Sequence, residues 1–349
     1  MTSSDLVLEA RGLSVDYGLG ASALHAVDCV DLILRRGEVL GLAGESGCGK
    51  STLAYAMTRL LRPPGIITDG EVYYYPKEGP PVDVLALSNE DLRRWRWEEL
   101  SIVFQAAMNA LNPVQKIRTQ FDHVLQTHRP AMGKAERNER ISELLHLVGI
   151  SADRASAYPH ELSGGMRQRA MIAVALALEP EIIVMDEPTT ALDVVIQKRI
   201  LREIMELRDR FGFSVVFITH DLSLLVELAD TIAVMYAGKL VEVAPAKEIY
   251  RKPRHPYTDG LLNSFPLLHG ARKMLSGIPG SPPNLKSVPS GCPFHPRCAR
   301  AEAACSGTAP QLVRSPVEGD SDEHLVSCLL YTEPASPAER AGAKVARGG

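Results

Sequence analysis

The sequence predicts an α/β fold in which helices cover a mostly parallel sheet. Continuous apolar runs at 182–185 and 215–218 suit strands that are buried on both faces. Between them, apolar residues from Ile196 to Leu207 recur every three or four positions, which is the period of an amphipathic helix, and Gly212 follows as a stop signal. Strand, helix and strand in this order are typical of an α/β core.

The first part of the chain adds a third buried strand and an edge sheet. Val39–Ala43 is a short apolar run, and apolar residues at helical spacing follow from Leu53 to the prolines at 63–64, which should end the helix. Residues 6–35 and 70–85 resemble short strands with turn residues between them. We therefore expect an antiparallel sheet at the edge of the parallel core.

The rest of the chain divides by pattern. Residues 88–178 lack buried-strand runs, so we expect this region to be mainly helical. From 265 onward prolines and glycines become frequent and no periodicity persists. We predict a main domain over 5–264, a cysteine-rich extension over 265–331, and a disordered tail over 332–349 that is rich in Ala, Pro, Glu and Arg.

Composition excludes several classes of function. The 349 residues carry a net charge of −4 and no basic patch, which argues against a nucleic-acid partner. No apolar run approaches the ~18 residues that span a bilayer. The first residues lack the basic start and apolar core of a secretory signal. We expect a cytoplasmic protein that meets the membrane through a partner.

A glycine-rich loop joins the strand at 39–43 to the following helix and has the form G-x-x-x-x-G-K-S. Such loops wrap phosphates with consecutive backbone N–H groups at a helix N-terminus, which predicts a nucleotide site. The lysine should lie against the β- and γ-phosphates, and the serine should ligate Mg²⁺. The residues predicted to bind nucleotide here are Gly44, Glu45, Ser46, Gly47, Cys48, Gly49, Lys50, Ser51 and Thr52.

Two carboxylates follow the apolar run at 182–185. Asp186 ends that strand, where a carboxylate would hold Mg²⁺ through water. Glu187 comes next and is suited to act as the general base that polarises the attacking water. For an isolated acidic pair the default interpretation is a solvated loop, but the apolar run before it and Pro188-Thr189 after it favour the catalytic assignment.

The stretch Leu162–Gly165 reads Leu-Ser-Gly-Gly and lies between the phosphate loop and the acidic pair. With these motifs in this order, the chain resembles the ATP-binding subunit of an ABC (ATP-binding cassette) transporter. The resemblance implies an ABC-type P-loop ATPase core with an antiparallel β edge subdomain and a helical subdomain at about 88–178. It also implies that Ser163, Gly164 and Gly165 cap the γ-phosphate held by a second subunit, so hydrolysis needs a head-to-tail dimer.

The same resemblance assigns further site residues. His220, after the run at 215–218, matches the switch histidine that contacts the γ-phosphate, and Gln105 matches a glutamine that reaches Mg²⁺ or the attacking water. Asp193 lies in the loop that crosses between subunits. Tyr17 is expected to stack on the adenine ring, and the alternative is an ordinary tyrosine of an edge strand.

Segments outside the ATPase motifs are similar to the oligopeptide/dipeptide importer subfamily: 104–113, 255–258 and 291–298. The resemblance implies pairing with a paralogous ATP-binding subunit or with itself, docking on two membrane permease subunits, and an extracytoplasmic solute-binding protein in the same complex. It implies a peripheral location on the cytoplasmic face of the membrane. The alternatives are import of oligosaccharide or nickel, or a soluble ABC ATPase that does not transport, which the single cassette disfavours.

Four of the six cysteines crowd into the end of the chain: Cys292, Cys298, Cys305 and Cys328, separated by five, six and twenty-two residues. Four thiolates suit tetrahedral zinc or an iron–sulfur cluster, and zinc sites usually use closer pairs. The family resemblance also points to a [4Fe-4S] cluster with a structural or redox role, with zinc as the alternative. Arg297 is expected to offset the thiolate charge. Four unligated thiols are the remaining interpretation.

Overall fold

The structure is a computed structural model that describes residues 5–20, 23–104, 111–189, 193–264 and 277–331. The strands are β1 (Leu6–Tyr17), β2 (Leu24–Arg35), β3 (Val39–Ala43), β4 (Gly65–Tyr74), β5 (Val82–Asp83), β6 (Leu100–Val103), β7 (Ile182–Asp186), β8 (Ser214–Ile218), β9 (Thr231–Tyr236), β10 (Lys239–Pro245), β11 (Val313–Arg314) and β12 (Leu325–Val326).

The helices are α1 (Lys50–Met57), α2 (Asn89–Glu98), α3 (Ile117–His128), α4 (Lys134–Leu147), α5 (Gly164–Ala175), α6 (Val194–Phe211), α7 (Leu222–Leu228), α8 (Ala246–Arg251) and α9 (Pro256–Ser264). Within the described ranges, no helix has both the length and the apolar character needed to cross a membrane.

The larger sheet has the order β11-β12-β10-β9-β3-β8-β7-β6. Strands β9, β3, β8, β7 and β6 run parallel to one another, and β3, β7 and β8 are buried along their whole length. This confirms the prediction of a parallel core made from continuous apolar runs. Because the strands are parallel, the residues that follow β3, β7 and β8 all emerge at one edge.

The smaller sheet is antiparallel, in the order β2-β1-β4-β5, which confirms the predicted edge sheet. Its inner face packs on β3 and α1 in one hydrophobic core, to which Leu13, Leu42, Leu53 and Val72 contribute. The strand β4 begins at Gly65, five positions before the predicted start. The sheet therefore covers the side of the phosphate loop from which α1 emerges.

The helical region contains a strand that the sequence did not predict. β6 lies within 88–178 and pairs in parallel with β7, at the end of the larger sheet. Its four residues read Leu-Ser-Ile-Val, and Ser101 interrupts the apolar run although it is buried. So short and interrupted a run resembles a loop, because only the pairing with β7 makes it a strand.

The helix after the phosphate loop is shorter than predicted. α1 ends at Met57 rather than at the prolines, and the hydroxyl of Thr58 donates to the carbonyl of Ala54 at 2.9 Å. Arg59 has a positive φ of 52°, which cannot continue a right-handed helix. α6, by contrast, confirms its prediction, since Gly212 at φ 71° closes it.

Residues 277–331 contribute two strands to the larger sheet. β12 pairs with β10 through Glu242 opposite Val326, and β11 pairs with β12. The regular pairing is too short to leave a periodic pattern in the sequence. The segment is instead held by polar contacts, which the sequence does not reveal.

A buried network of charges holds this segment. The His324 ring is fully buried, with Nε2 at 2.7 Å from Glu242 and Nδ1 at 3.0 Å from Glu248. The guanidinium of Arg254 donates to both carboxylate oxygens of Asp320, from Nη2 at 2.5 Å and from Nε at 2.8 Å. Buried charges are tolerated when they are paired in this way, so losing one partner is costly.

We expect the attachment of this segment to weaken as pH rises. Burial opposes protonation of His324, but its hydrogen bonds to Glu242 and Glu248 outweigh burial and raise its pKa above the usual value. The stabilisation is fully present below about pH 6.5 and is lost as pH rises through the raised pKa. Denaturant unfolding from about pH 6 to pH 9 measures this loss.

The variant His324→Ala should lower the free energy of unfolding by about 3 kcal/mol at the low end of that range, because it removes the positive charge that lies between Glu242 and Glu248. It should also flatten the pH dependence. His123→Ala, on the exposed face of α3, is the matched control and should leave both quantities unchanged. If unfolding of His324→Ala depends on pH as it does in the unmodified chain, His324 is not the group whose titration weakens the segment.

Candidate functional site

The edge formed by the carboxyl ends of β3, β8 and β7 gathers most of the predicted site residues. The amide of Thr219 donates to the carbonyl of Leu42, and the amide of Glu187 donates to the carbonyl of Ile218. These bonds hold the ends of the three strands side by side. The phosphate loop, the acidic pair and His220 therefore share one surface.

The glycine-rich loop has a backbone that only glycine allows. Gly44 and Gly49 have φ values of 147° and 110°, and a Cβ on either would overlap the carbonyl oxygen of Met235 or Ala26. Gly49 caps α1 without a side chain, and no acidic residue lies in the first turn of that helix. The N–H groups at this helix start are thus suited to an anion.

Lys50 is buried against this loop. Its ammonium donates to the carbonyl oxygens of Gly44 and Glu45 at 2.7 and 3.0 Å, and it lies 3.7 Å from the sulfur of Cys48. Only 5% of the residue is exposed. The positive charge is therefore concentrated at the mouth of the loop.

The two residues predicted to hold magnesium lie together. The hydroxyl of Ser51 donates to Asp186 at 3.0 Å, and Asp186 is 1% exposed. Tyr55 donates to the other carboxylate oxygen at 2.8 Å. Burial and this bond to Asp186 raise the pKa of Tyr55, so the phenol remains a donor. The sequence did not predict Tyr55, although it lies one helical turn after Ser51.

Glu187 and His220 also come together. Nδ1 of His220 lies 3.1 Å from the carboxylate of Glu187, with the glutamate side chain mostly buried and the imidazole half exposed. Glu187 has a φ of 44°, an unfavourable backbone region for a residue with a side chain. Strain of this kind is concentrated at functional positions.

Tyr17 lies at the end of β1, beside the start of α1. Its hydroxyl is 3.3 Å from the hydroxyl of Thr52, and the residue is half-buried. Adenine stacking by Tyr17 stays a prediction, and its position next to the phosphate loop is compatible with it.

The Leu-Ser-Gly-Gly turn forms the N-terminus of α5. Ser163 is exposed, and its hydroxyl accepts from the amide of Met166 at 3.3 Å. Gly164 and Gly165 occupy the first turn, which carries no acidic residue. Leu162 is buried and anchors the turn. The result is a second helix start with exposed donors.

Asp193 caps α6 by accepting from the amides of Val195 and Ile196 at 3.1 and 3.0 Å. Next to it, Val195 is 78% exposed. Gln105 and the neighbours of Asp193 at 190–192 lie outside the described residues, so the predicted role of Gln105 stays a prediction.

Glu45 of the phosphate loop is held by two residues that the sequence did not connect with it. Its amide donates to the hydroxyl of Tyr257 at 2.8 Å, and Arg297 donates to both oxygens of its carboxylate at 2.7 and 2.9 Å. The expectation that Arg297 offsets thiolate charge is therefore wrong. The guanidinium extends toward the loop, because a fixed carboxylate there accepts two hydrogen bonds from it.

The four cysteines of the last segment surround one region. Burial raises the pKa of Cys292, Cys298 and Cys328, the last to about 11, and the neighbouring sulfurs add to the rise. The amide of Cys292 donates to the carbonyl of Cys305 at 2.8 Å, which joins the two loops. Thiols in such surroundings become thiolates only beside a cation.

The sulfurs of these four cysteines do not form a compact group of three metal ligands. In the part of the chain that the structure describes, the one group of three metal-binding side chains with ligand atoms within 4.8 Å of each other is Glu248, Asp320 and His324. No three of the cysteine sulfurs approach that closely. Sulfurs around one tetrahedral zinc ion lie about 3.8 Å apart, given a Zn–S bond of about 2.3 Å.

Two family models match the sequence. The ABC transporter model matches residues 27–190, and the model for the C-terminal region of oligopeptide/dipeptide transporters matches residues 241–305. Together they cover the phosphate loop, the Leu-Ser-Gly-Gly turn, the acidic pair, Tyr257 and three of the four clustered cysteines.

Curated relatives extend the match over nearly the whole chain. The dipeptide transport ATP-binding protein DppD of Bacillus subtilis is 41% identical over 96% of this chain and 98% of its own length. The oligopeptide transport ATP-binding protein OppD of Escherichia coli is 40% identical over 88% of this chain and 90% of its own length.

Solved structures agree on the fold. A dimeric bacterial ABC transporter cassette is 29% identical and superposes with a TM-score of 0.60, over 68% of this chain and 98% of that one. A dimeric post-hydrolysis state of an ATP-binding cassette bound to ADP and Pi gives the same values.

Proposed function

The chain belongs to the ATP-binding proteins of oligopeptide and dipeptide ABC transporters, an ATPase family, and we propose that it hydrolyses ATP to drive uptake of peptides across the cell membrane. The observation that carries the proposal is the meeting of Lys50, Asp186, Glu187 and His220 at one sheet edge. The peptide relatives do not favour oligosaccharide, nickel or a role outside transport.

The phosphate loop would bind the β- and γ-phosphates of ATP. Lys50 would exchange its bonds to loop carbonyls for bonds to phosphate oxygens, which are stronger because the acceptor is charged. Ser51 and Asp186 would hold Mg²⁺, which supplies positive charge against the phosphates. Their mutual distance of 3.0 Å and the burial of Asp186 support this assignment. Tyr17 would stack on adenine.

Glu187 would accept a proton from the water that attacks the γ-phosphorus. As the P–O bond to the β-phosphate breaks, the products are ADP and inorganic phosphate. The hydrogen bond from His220 would orient the carboxylate and report the presence of the γ-phosphate. Gln105 would complete the site and connect it to the helical region.

A second subunit, either a paralogue or another copy of this chain, would complete each site. Ser163, Gly164 and Gly165 would cap the γ-phosphate of that subunit, and Asp193 would lie in the crossing loop. The exposure of Ser163 and of the apolar Val195 supports an interface on this side. The dimeric state of a similar solved cassette also supports it.

Two permease subunits would dock at the cleft between α2, β6 and α3, on the cytoplasmic face of the membrane. This cleft has a volume of about 890 Å³ and is lined in part by Trp97, Phe104 and Val124. Phe104 is 37% exposed and directly precedes Gln105. A solute-binding protein outside the membrane would supply the peptide to these permeases.

The four clustered cysteines would hold a [4Fe-4S] cluster, with zinc as the alternative. Soft thiolate donors suit both. Among the described residues no three of these sulfurs lie within 4.8 Å of one another, which supports the larger cluster, because its ligands surround a core of several atoms. A cluster would supply the charge that these thiols need to ionise. The chain would divide into a cassette over 5–264 and a cysteine-rich extension over 265–331. The tail predicted to be disordered, 332–349, lies outside the described residues.

Two substitutions separate binding from chemistry. Lys50→Ala should weaken MgATP binding by about ten-fold or more, because a charged partner of the phosphates is lost. Glu187→Gln should keep ATP binding while turnover of the reconstituted transporter falls by about two to four orders of magnitude. Calorimetry and phosphate release measure the two effects.

The matched controls for these variants are Lys247→Ala and Glu206→Gln, which change exposed residues on helices. Both should behave as the unmodified chain. Near-normal turnover in Glu187→Gln would refute its role as the base, and normal ATP binding in Lys50→Ala would refute the phosphate site.

Because each ATP site would be formed by two subunits, ATP turnover should depend on assembly of the dimer. Turnover per chain should rise steeply with protein concentration or on addition of the partner subunit, because each chain alone supplies two incomplete sites. A mixture of Lys50→Ala with Gly165→Asp should recover activity that neither variant has, since one intact composite site forms. Full activity that is independent of concentration would contradict this arrangement.

Metal analysis tests the cysteines. Protein purified without oxygen should be brown and contain about four irons per chain. Cys298→Ser should lose the colour and the iron, whereas Cys29→Ser, an exposed cysteine outside the group, should retain both. One zinc and no iron per chain would reject the cluster and leave the zinc alternative.

A further inference from the structure

The contacts of Glu45 connect the phosphate loop to the cysteine segment. The carbonyl of Glu45 accepts from Lys50, its amide donates to Tyr257, and its carboxylate is bound by Arg297. All three groups of this loop residue are therefore held in place. One of the three holders, Arg297, directly precedes Cys298.

Arg297 is itself fixed on several sides. Besides Glu45, its guanidinium donates to the carbonyl of Pro279 at 2.8 Å and to the hydroxyl of Tyr236 at 3.3 Å. Its side chain is only 7% exposed. A two-bond ion pair with so little access to water is geometrically specific and is costly to break.

An aromatic cluster strengthens the same connection. Phe294, which lies between Cys292 and Arg297, packs edge-on against Tyr236 with ring centroids 5.3 Å apart. It lies equally close to Tyr257, whose hydroxyl accepts from Glu45. Tyr236 ends β9, the neighbour of β3. The turn that carries Cys292 and Cys298 thus packs on the strand ends that support the phosphate loop.

The ion pair between Arg297 and Glu45 should affect nucleotide binding through its charge. The carboxylate of Glu45 belongs to the loop that would receive the phosphates of ATP. Without a cation beside it, this carboxylate would repel the phosphates at short range. Arg297 compensates its charge and holds both carboxylate oxygens in hydrogen bonds. The compensation exists only while the turn from Cys292 to Cys298 is folded against the loop.

We propose that Arg297 is a positioning residue for the ATP site, through which the folded state of the cysteine segment controls nucleotide affinity. The proposal rests on the proposed function, because it assigns the loop to ATP. Coupling between two sites is reciprocal. Nucleotide binding must therefore hold the cysteine segment in place by the same factor by which the segment strengthens nucleotide binding.

A double-mutant cycle on the full chain tests the proposal. Arg297→Ala should weaken MgADP binding by about ten-fold, within the usual range for coupled sites. The double variant Glu45→Gln with Arg297→Ala should recover most of that loss, because the uncompensated carboxylate is gone. Arg300→Ala, an exposed arginine of the same segment, is the matched control and should bind as the unmodified chain does.

Two results would overturn the proposal. Unchanged MgADP affinity in Arg297→Ala would show that the cysteine segment is not coupled to the nucleotide site. A double variant that binds as weakly as Arg297→Ala would show that Arg297 only stabilises its own segment. Calorimetric binding is the readout, so the result does not depend on turnover.

A second measurement applies even if Arg297→Ala does not fold. Deuterium labelling of the backbone amides at 291–305, followed by mass spectrometry, reports opening of the segment without depending on the state of the cysteine thiols. MgADP should slow this labelling by about ten-fold in the unmodified chain and have little effect in Glu45→Gln, where the link is cut on the loop side. Equal protection in both proteins would overturn the proposal.

Failure of this inference is distinguishable from failure of the proposed function. If Lys50→Ala binds MgADP normally, the loop is not the nucleotide site, and both the proposed function and the role of Arg297 are rejected. If Lys50→Ala loses binding while Arg297→Ala retains it, the ATP site stands and the role of Arg297 alone is rejected.

Discussion

The parallel pairing of β7, β8 and β3 is the constraint on which the rest of the structure depends. Asp186 is in register with Ile218, and Leu42 is in register with the same residue on the other side. Three loops from distant parts of the sequence therefore start at the same level of one sheet edge. The Ser51–Asp186 and Glu187–His220 contacts follow from this register, and a shift by one residue would point Asp186 to the opposite face.

The same sheet also explains why the end of the chain lies against the phosphate loop. β10 continues the sheet beyond β9 and carries the buried Glu242, to which His324 is bound. This attachment leaves residues 277–331 beside the strand ends. Arg297 can then reach Glu45, so a segment with only two short strands supports the phosphate loop through an ion pair.

The predictions from sequence succeeded where local pattern decides structure. Buried strands, the amphipathic α6 and its glycine stop have periodicities that need no knowledge of neighbours. The predictions failed where contacts with another part of the chain determine the structure, since β6 is a strand only because β7 lies beside it. They also misplaced the end of α1, because Thr58 and Arg59 leave the helix before the prolines. The predicted role of Arg297 was wrong because its partner, Glu45, lies 252 positions away in the sequence.

The sequence by itself determined the family, the phosphate loop and the acidic pair, because each depends on residue types at short spacing, and it showed that four cysteines fall near the end of the chain. Only the tertiary structure decided which of these sets touch. Tyr55 on Asp186, Tyr257 and Arg297 on Glu45, and His324 between Glu242 and Glu248 are contacts between separate elements. Hydrogen bonds and ion pairs act over a few ångströms, and the distances between such residues exist only once the chain has folded.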